Sequence, residues 1–406
     1  MEGIPVINLG DIAFSSLLNG VMAIVFAALM AFVLTPIVRV MAHRIGGIDI
    51  PKDDRRMHKV PIPTLGGLAI FFAFVLTVIF FYDTSNTTIA MLIGSTIIVI
   101  MATLDDVFKL RAVIRFIVQI GAAVIVVSQG IIIERINIFG QYIHFGYFAI
   151  PITIIWIVGL TNAVNFIDGL DGLSCGLASI SAISLLVVTL IIGEYRVALL
   201  VAILAGSCLG FLPFNMSPAK IFAGDTGAMF LGFILSIVSI QGVFKVHAVL
   251  TFIIPFLILG VPIFDTLFAI FRRILTGRHP FSADRGHLHH RLVDMGFNHR
   301  QAVRILYAVS SLLGISSIMI VTHRIVYALV IISISLGISV LTWIIIRNEK
   351  WRVESGLISD NMLEEQKNAL NLIEAPEPTE AIENAELSLL NEAKTANSEE
   401  NKQIVS

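Results

Sequence analysis

The feature that most constrains this chain is the succession of long apolar stretches along it. A bilayer core takes about 20 mostly apolar residues per helix. Eleven stretches approach that length, at roughly 15–38, 66–82, 87–104, 113–132, 149–166, 174–192, 196–213, 227–244, 248–270, 303–321 and 325–346. Only 14% of the 406 residues are charged, where a soluble domain carries about 25%, so an ordinary soluble globule is excluded. The first stretch is too long for a cleaved signal peptide, and no positive region precedes it. The expected fold is an all-α polytopic membrane protein of about 11 transmembrane helices. No repeat of fixed period and no inverted repeat of the transporter kind is visible. Cys175 and Cys208 lie in apolar runs without metal-ligand spacing and read as small buried residues.

Lys and Arg set the orientation. With the N-terminus outside, 23 of them fall on the inner side and four, Arg135, Arg196, Lys245 and Arg324, on the outer. N-out, C-in is therefore expected. The formal net charge of −2 hides a division of the chain. Residues 1–352 hold 24 Lys and Arg against 17 Asp and Glu; residues 353–406 hold twelve acids against three lysines. The expected organisation is a multi-pass catalytic domain over 1–352 and an acidic, disordered cytoplasmic tail over 353–406, with a helical stretch at 379–394. The sizeable outer loop, residues 134–148, alternates Ile136, Ile138, Tyr142 and His144 around Gly140; a short hairpin and an irregular loop both fit.

Polar residues gather in five clusters, all on the inner side. The first runs from Asp49 through Arg55, Arg56, His58 and Lys59 to Thr64, Gly66 and Gly67. Basic loops commonly enforce topology or touch anionic lipid, but the Pro and Gly punctuation here suggests a folded loop. The second is Asp105-Asp106, followed by Lys109, Arg111 and Arg115. Adjacent carboxylates at a membrane boundary need partners or work, so this is a helix-end ion-pair network or a cation or proton site. The third is Asn162, Asn165, Asp168, Gly169, Asp171 and Gly172. Its i, i+3 spacing lines one helix face, and its oxygens suit Mg²⁺. The fourth holds Asn215, Lys220, Phe222, Gly224, Asp225, Thr226 and Gly227. It reads as a phosphate cradle at a helix start, as an Asp N-cap, or as both. The fifth runs from Arg272-Arg273 to Arg285, His287, His289, His290 and Arg291. It suggests an anion grip, with zinc binding and a structural His cluster as rivals. Together the clusters supply what Mg²⁺-dependent phosphoryl transfer needs. The chain has neither a P-loop motif nor a kinase HRD/DFG pair.

At these residues the sequence resembles the polyprenyl-phosphate N-acetylhexosamine-1-phosphate transferases. The Asp-Asp pair, the Asn-x-x-Asn-x-x-Asp-Gly-x-Asp-Gly run, the Gly-Asp pair and the His-rich element occur in order between about Asp49 and Arg304. The stretch Pro262-Ile-Phe-Asp265-Thr, with His287-Leu-His289-His290-Arg291, is similar to the WecA/TagO-type branch, which transfers GlcNAc-1-phosphate. The muramyl-pentapeptide (MraY) branch usually has three consecutive His.

The resemblance implies a bacterial plasma-membrane enzyme with its site on the cytoplasmic face. It implies a UDP-N-acetylhexosamine donor, undecaprenyl phosphate or a similar polyprenyl phosphate as acceptor, Mg²⁺ or in its place Mn²⁺, the bilayer and a second copy of the chain as partners, and no nucleic acid. The product would initiate a teichoic acid, O-antigen or similar chain. Asn165 and Asp225 would be metal ligands. Asp105 would be base or orienter for the lipid phosphate, and Asp106 its partner near the metal, held by Lys109, Arg111 or Arg115. Asp168, His287, His289 and His290 would complete the catalytic set. Phe222, Gly169 and Asp171 would take the uracil, and the amides of Thr226 and Gly227 the phosphates. Asp49, Lys59 and Thr64 would close the nucleotide side, with Asn162, Arg111, Arg115, Arg285 and Arg291 also contacting substrate. One-step transfer is expected over double displacement. A transporter would place ionisable groups near the midplane; here the clearest acid in an apolar run, Asp265, lies near the inner end instead. A sensor or scaffold would leave the five clusters unexplained.

Overall fold

The computed structural model describes residues 9–49, 61–138, 141–242, 253–277 and 286–354. The chain divides into a compact unit, Met1–Ser339, and a second, Val340–Ser406. In the second, only residues up to 354 are described, as the end of a helix. The helices are α1 (Leu9–Ile45), α2 (Gly67–Phe81), α3 (Asn86–Phe108), α4 (Ala112–Ser128), α5 (Ala149–Ile167), α6 (Leu173–Ile191), α7 (Tyr195–Asn215), α8 (Gly224–Gly242), α9 (Ile253–Ile258), α10 (Gly260–Leu275), α11 (Leu288–Asp294), α12 (His299–Val321) and α13 (Ile325–Glu354).

Seven are long and apolar enough to cross a membrane, and the apolar parts of α2, α4 and α13 form shorter apolar helices. The chain is a multi-pass, all-α membrane protein. The span expected over 248–270 is broken. Residues 248–252 lie outside the described residues, and the rest forms α9 and α10, separated at Leu259. Pro262 causes the break, because it has no N–H to donate to the carbonyl of Ile258 and its ring crowds that carbonyl. The Ser181 hydroxyl of α6 donates to the Ile258 oxygen instead, at 3.0 Å, as a freed carbonyl in an apolar layer requires.

Helix α8 is apolar on every side and is the centre of the unit, packed by α2, α3, α5, α6 and α7. Helix α1 lays fully buried Ala23, Ala27 and Ala31 inward and packs chiefly on α7. The loop before α5 forms the hairpin alternative, β3 (Arg135–Ile138) against β4 (Gln141–His144), with Ile136 opposite Ile143. Its expected turn residue, Gly140, lies outside the described residues. A second two-residue pair, β1 (Ile48–Asp49) with β2 (Ile62–Pro63), brackets residues 50–61. The hairpin precedes α5, and the other end of α5 carries Asn162 and Asn165.

Candidate active site

The site is assembled from the ends of α3, α5 and α8, the start of α4, and α10 and α11. The Asp pair closes α3, and its two carboxylates part company. Asp105 is buried, and both of its oxygens are engaged: Oδ1 accepts the Leu110 amide at 2.7 Å and Oδ2 the Arg115 guanidinium at 2.6 Å. It holds a tight turn in which Lys109 takes a left-handed conformation, φ 53°. The same Arg115 nitrogen lies 3.5 Å from Asp225 Oδ2. Arg115 therefore serves Asp105 and Asp225, where the sequence had suggested it as a holder of Asp106. Arg111 stands exposed at the start of α4.

Asp106 caps α8 from another helix. Its Oδ1 accepts the Asp225 amide at 3.2 Å; its Oδ2 accepts the Thr226 amide at 3.1 Å and hydroxyl at 2.8 Å. A carboxylate at a helix N-terminus is favoured by both the orphan amides and the dipole. The Gly227 amide goes to the Ala223 carbonyl. The expected phosphate cradle at this helix start is therefore corrected: the amides of Thr226 and Gly227 are already used. So is the expected Asp225 cap, since the cap is Asp106. The glycines here serve close backbone approach. Phe222 and Ala223 bond in register with Pro63, Gly66 and Gly67 at 2.8 to 2.9 Å. A Cβ on Gly67 would lie 2.0 Å from the Gly227 nitrogen. This ladder fixes half-buried Phe222 beside the loop that carries Thr64, whose hydroxyl donates to the Gly47 carbonyl at 3.3 Å. Asp49 sits in β1; Lys59 and Arg285 lie outside the described residues.

On α5, Asn165 Nδ2 donates to Asp225 Oδ1 at 3.0 Å, which leaves the Asn165 amide oxygen as a hard donor. Asn162, one turn earlier, faces elsewhere. Its amide donates to Gln119 Oε1 at 2.6 Å and to the Val158 carbonyl at 2.8 Å, so it ties α5 to α4 instead of meeting a ligand. Gln119 went unnoticed in the sequence because it is one amide in an apolar run. It lies one turn after Arg115 on α4, so α4 grips both α5 and the carboxylates with one face. Gln119→Leu leaves the Asn162 amide with a partner lost in a buried interface, which costs about 1–3 kcal/mol. The expected result is a lower unfolding temperature in detergent, and an unchanged one would deny the clamp.

Beyond α5, half-buried Asp168 is pushed up to about 7, first by desolvation and then by the charges of Asp106 and Asp171. Asp171 Oδ2 accepts the Ala219 amide at 3.0 Å and so ties this loop to the one before α8. Tyr307 of α12 donates to the Gly172 carbonyl at 2.5 Å; this is a second residue the sequence did not single out. Gly169 is where α11 arrives. A Cβ there would lie 2.1 Å from His289 Nε2, so only glycine leaves room for that ring.

The His-rich element is not a cluster of three cations. His289 is buried, and neither ring nitrogen has a partner among the described residues. Burial, followed by the neighbouring His290, drives its pKa down to about 3, so it is neutral at pH 7. The fixed positive charge comes from Arg. Arg291 and Arg272 lie over the Phe268 ring at 5.0 and 5.8 Å, and Arg272 holds the Gly286 carbonyl at 2.8 Å. Asp265 accepts the His287 Nδ1 hydrogen at 2.8 Å and the Leu288 amide at 2.7 Å. Next to this helix an apolar groove of about 590 Å³ opens, lined by Phe264, Leu267, Phe268, Phe271, Ile274 and Leu288 among others.

Among the described residues, no three His, Cys, Asp or Glu side chains are placed to enclose a metal ion. Asp225, with its side chain 32% exposed, and the Asn165 oxygen fit an ion that keeps waters and takes further oxygens from a phosphate, as Mg²⁺ does. The arrangement joins a wall of carboxylates, a wall of Arg and His, and an apolar groove. It can hold a charged diphosphate beside a lipid.

Comparison with known proteins agrees. Residues 88–243 match the family model "Glycosyl transferase family 4". The chain is 41% identical over 320 residues to a probable undecaprenyl-phosphate N-acetylglucosaminyl 1-phosphate transferase of Bacillus subtilis, covering 77% of this chain and 88% of the relative. It is 33% identical over 315 residues to a decaprenyl-phosphate N-acetylglucosaminephosphotransferase of Mycobacterium tuberculosis, covering 69% and 77%. A phospho-N-acetylmuramoyl-pentapeptide-transferase of Staphylococcus aureus is 30% identical over 320 residues, covering 73% and 98%. At 41% identity over 77% of its length, the chain belongs to glycosyl transferase family 4, among the polyprenyl-phosphate sugar-phosphate transferases.

Proposed function

We propose that the protein transfers GlcNAc-1-phosphate from UDP-GlcNAc to undecaprenyl phosphate or a similar polyprenyl phosphate, at the cytoplasmic face of a bacterial plasma membrane, and releases UMP. The observation that carries this reading is that the Asp225–Asn165–Arg115 cluster stands at the end of α5 against which the His residues of α11 pack, through Phe166 and Gly169, while Leu288 of α11 lines the apolar groove of α10. The chemistry on both substrates is anionic and one of them is a lipid, so each wall has a use. The relatives named for GlcNAc transfer, at 41% and 33% identity, support the sugar.

The lipid phosphate oxygen attacks the β-phosphorus of UDP-GlcNAc, the bond from that phosphorus to the UMP oxygen breaks, and UMP leaves. The sugar C1–O bond is untouched. Asp225 and Asn165 would hold Mg²⁺, which would supply neutralisation of the donor's negative charge. Asp105 is reassigned from base to positioning group, since both of its oxygens hold the turn and Arg115. No base is needed: a phosphate monoester has its second pKa near 6 and is mostly dianionic at pH 7. Asp106 positions Asp225 through the α8 cap. Asp168, holding a proton near neutrality, donates it to the UMP oxygen as the bond from that oxygen to the β-phosphorus breaks, and regains one from solvent once UMP has left. Phe222, Gly169 and Asp171 form the uracil side, closed by Asp49 and Thr64. His287, His289, His290 and Arg291 face the diphosphate and sugar. The lipid tail lies along the Phe264–Phe271 face of α10.

Purified protein with Mg²⁺ and polyprenyl phosphate is expected to exchange radiolabelled UMP into UDP-GlcNAc. UDP-GalNAc and UDP-MurNAc-pentapeptide serve as rival donors. Faster exchange with the pentapeptide donor would move the chain to the muramyl branch, and no exchange with any UDP-hexosamine would sink the enzyme reading.

A further inference from the structure

Asp265 has no role in the transfer as derived so far, yet it is one of the best-bonded carboxylates in the protein. It is 2% exposed, on the face of α10 turned away from the groove. A carboxylate is kept there only if donors satisfy it. Two do: Oδ1 takes the Leu288 amide and Oδ2 takes His287 Nδ1. The His287 ring is held on both sides. It stacks with the His289 ring at 6.0 Å and 7° between planes, and stands 6.0 Å from Phe166, the neighbour of Asn165. Its other nitrogen, Nε2, has no hydrogen-bond partner among the described residues.

A histidine whose Nδ1–H is donated to a carboxylate has its tautomer and plane fixed, and its Nε2 becomes the working nitrogen. We propose that Asp265 is a positioning residue for the transfer reaction, holding His287 as the Nδ1–H form with Nε2 presented as an acceptor to a hydroxyl or amide N–H of the donor sugar. This rests on the transferase reading above. The same helix offers Phe264 and Phe268, the neighbours of Asp265 in sequence and one turn on, to the apolar groove. The anchor of His287 and the wall for the lipid are therefore one rigid element, which sets the distance between lipid phosphate and donor.

A merely structural reading is available: Asp265 caps the short helix α11 through Leu288. Asp265→Asn separates the two. The amide oxygen still accepts from Leu288, but the amide NH₂ now donates to His287 Nδ1 and forces the Nε2–H tautomer. A wrong tautomer beside an intact site lowers turnover and leaves binding in place. The expected result for Asp265→Asn is a kcat lower by about 100-fold or more, KM values for UDP-GlcNAc and polyprenyl phosphate within about two-fold of wild type, and an unchanged unfolding temperature. In ¹⁵N-histidine spectra of the detergent-solubilised full chain, the signal missing from His287→Gln is expected to be Nδ1-protonated in wild type and Nε2-protonated in Asp265→Asn. A variant with wild-type kcat, or one whose unfolding temperature falls with no tautomer change, would overturn the proposal. Wild-type protein inactive with every UDP-hexosamine would defeat the function reading instead. The tautomer measurement would still decide whether Asp265 sets His287.

Discussion

Asp225→Asn is expected to remain folded in the membrane and to lose transfer by at least about 10³-fold. The substitution keeps the volume and the acceptor for Asn165 Nδ2, which sits 3.0 Å from Oδ1. Arg115 keeps its closer partner, Asp105, at 2.6 Å. The α8 cap is untouched, because Asp106 bonds the backbone of residue 225 and not its side chain. The fold therefore has little reason to respond. What disappears is a carboxylate whose side chain is 32% exposed, and with it the strongest hard oxygen available to Mg²⁺. Transfer of labelled GlcNAc-1-phosphate into extractable lipid measures the loss. Calorimetric titration of Mg²⁺ in the presence of UMP gives a readout independent of turnover, and the binding heat is expected to vanish. A variant that keeps both would remove Asp225 from the metal site.

The contrast between Asp225 and its neighbours shows what could be read from the chain alone. Where charge is scarce, each polar cluster is conspicuous, so the helix ends bearing Asp105, Asn165 and Asp225 were visible, as were the apolar spans between them. Pairings across long sequence separations were not. Nothing near Asp106 says that it caps a helix starting 118 residues later, and glycines placed for backbone contact look like glycines placed for phosphate. Gly67 and Gly227 are separated in sequence and touch in space, so a local motif reading assigned their neighbours' amides to a ligand. The break at Leu259 had a signal, Gly260-Val-Pro262, but average hydropathy passes over it, and the repair by Ser181 lies in another helix. Asp265 was legible as an oddity, an acid in an apolar run. Its meaning needed His287, 22 residues away.

The carboxylate at 168 shows the cost of building such a site. Asp168 is desolvated and faces the charges of Asp106 and Asp171, so its carboxyl is pushed from 3.8 up to about 7. The linkage has a definite sign. Below pH 3.8 the folded and unfolded chains both carry the proton, and the group has no effect. Between 3.8 and 7 the unfolded chain releases it while the native site retains it, so stability falls as pH rises through this window. Above 7 the native group is ionised too and the penalty is complete. Asp168→Asn removes the titration and keeps the shape. Its unfolding temperature is expected to match wild type near pH 4 and to exceed it increasingly up to pH 7, with a constant difference beyond. Function should move the other way. A group that donates a proton in the transfer contributes about 10²–10⁴-fold, so the variant is expected to be about 10³-fold slower. The decline of wild-type kcat above pH 7 should be absent from its profile. Thermal unfolding in detergent from pH 4 to 8, beside UMP exchange over the same range, tests both halves. A variant that is no more stable at pH 8 would show that Asp168 is ionised without penalty, and one with full activity would show that its proton is not used.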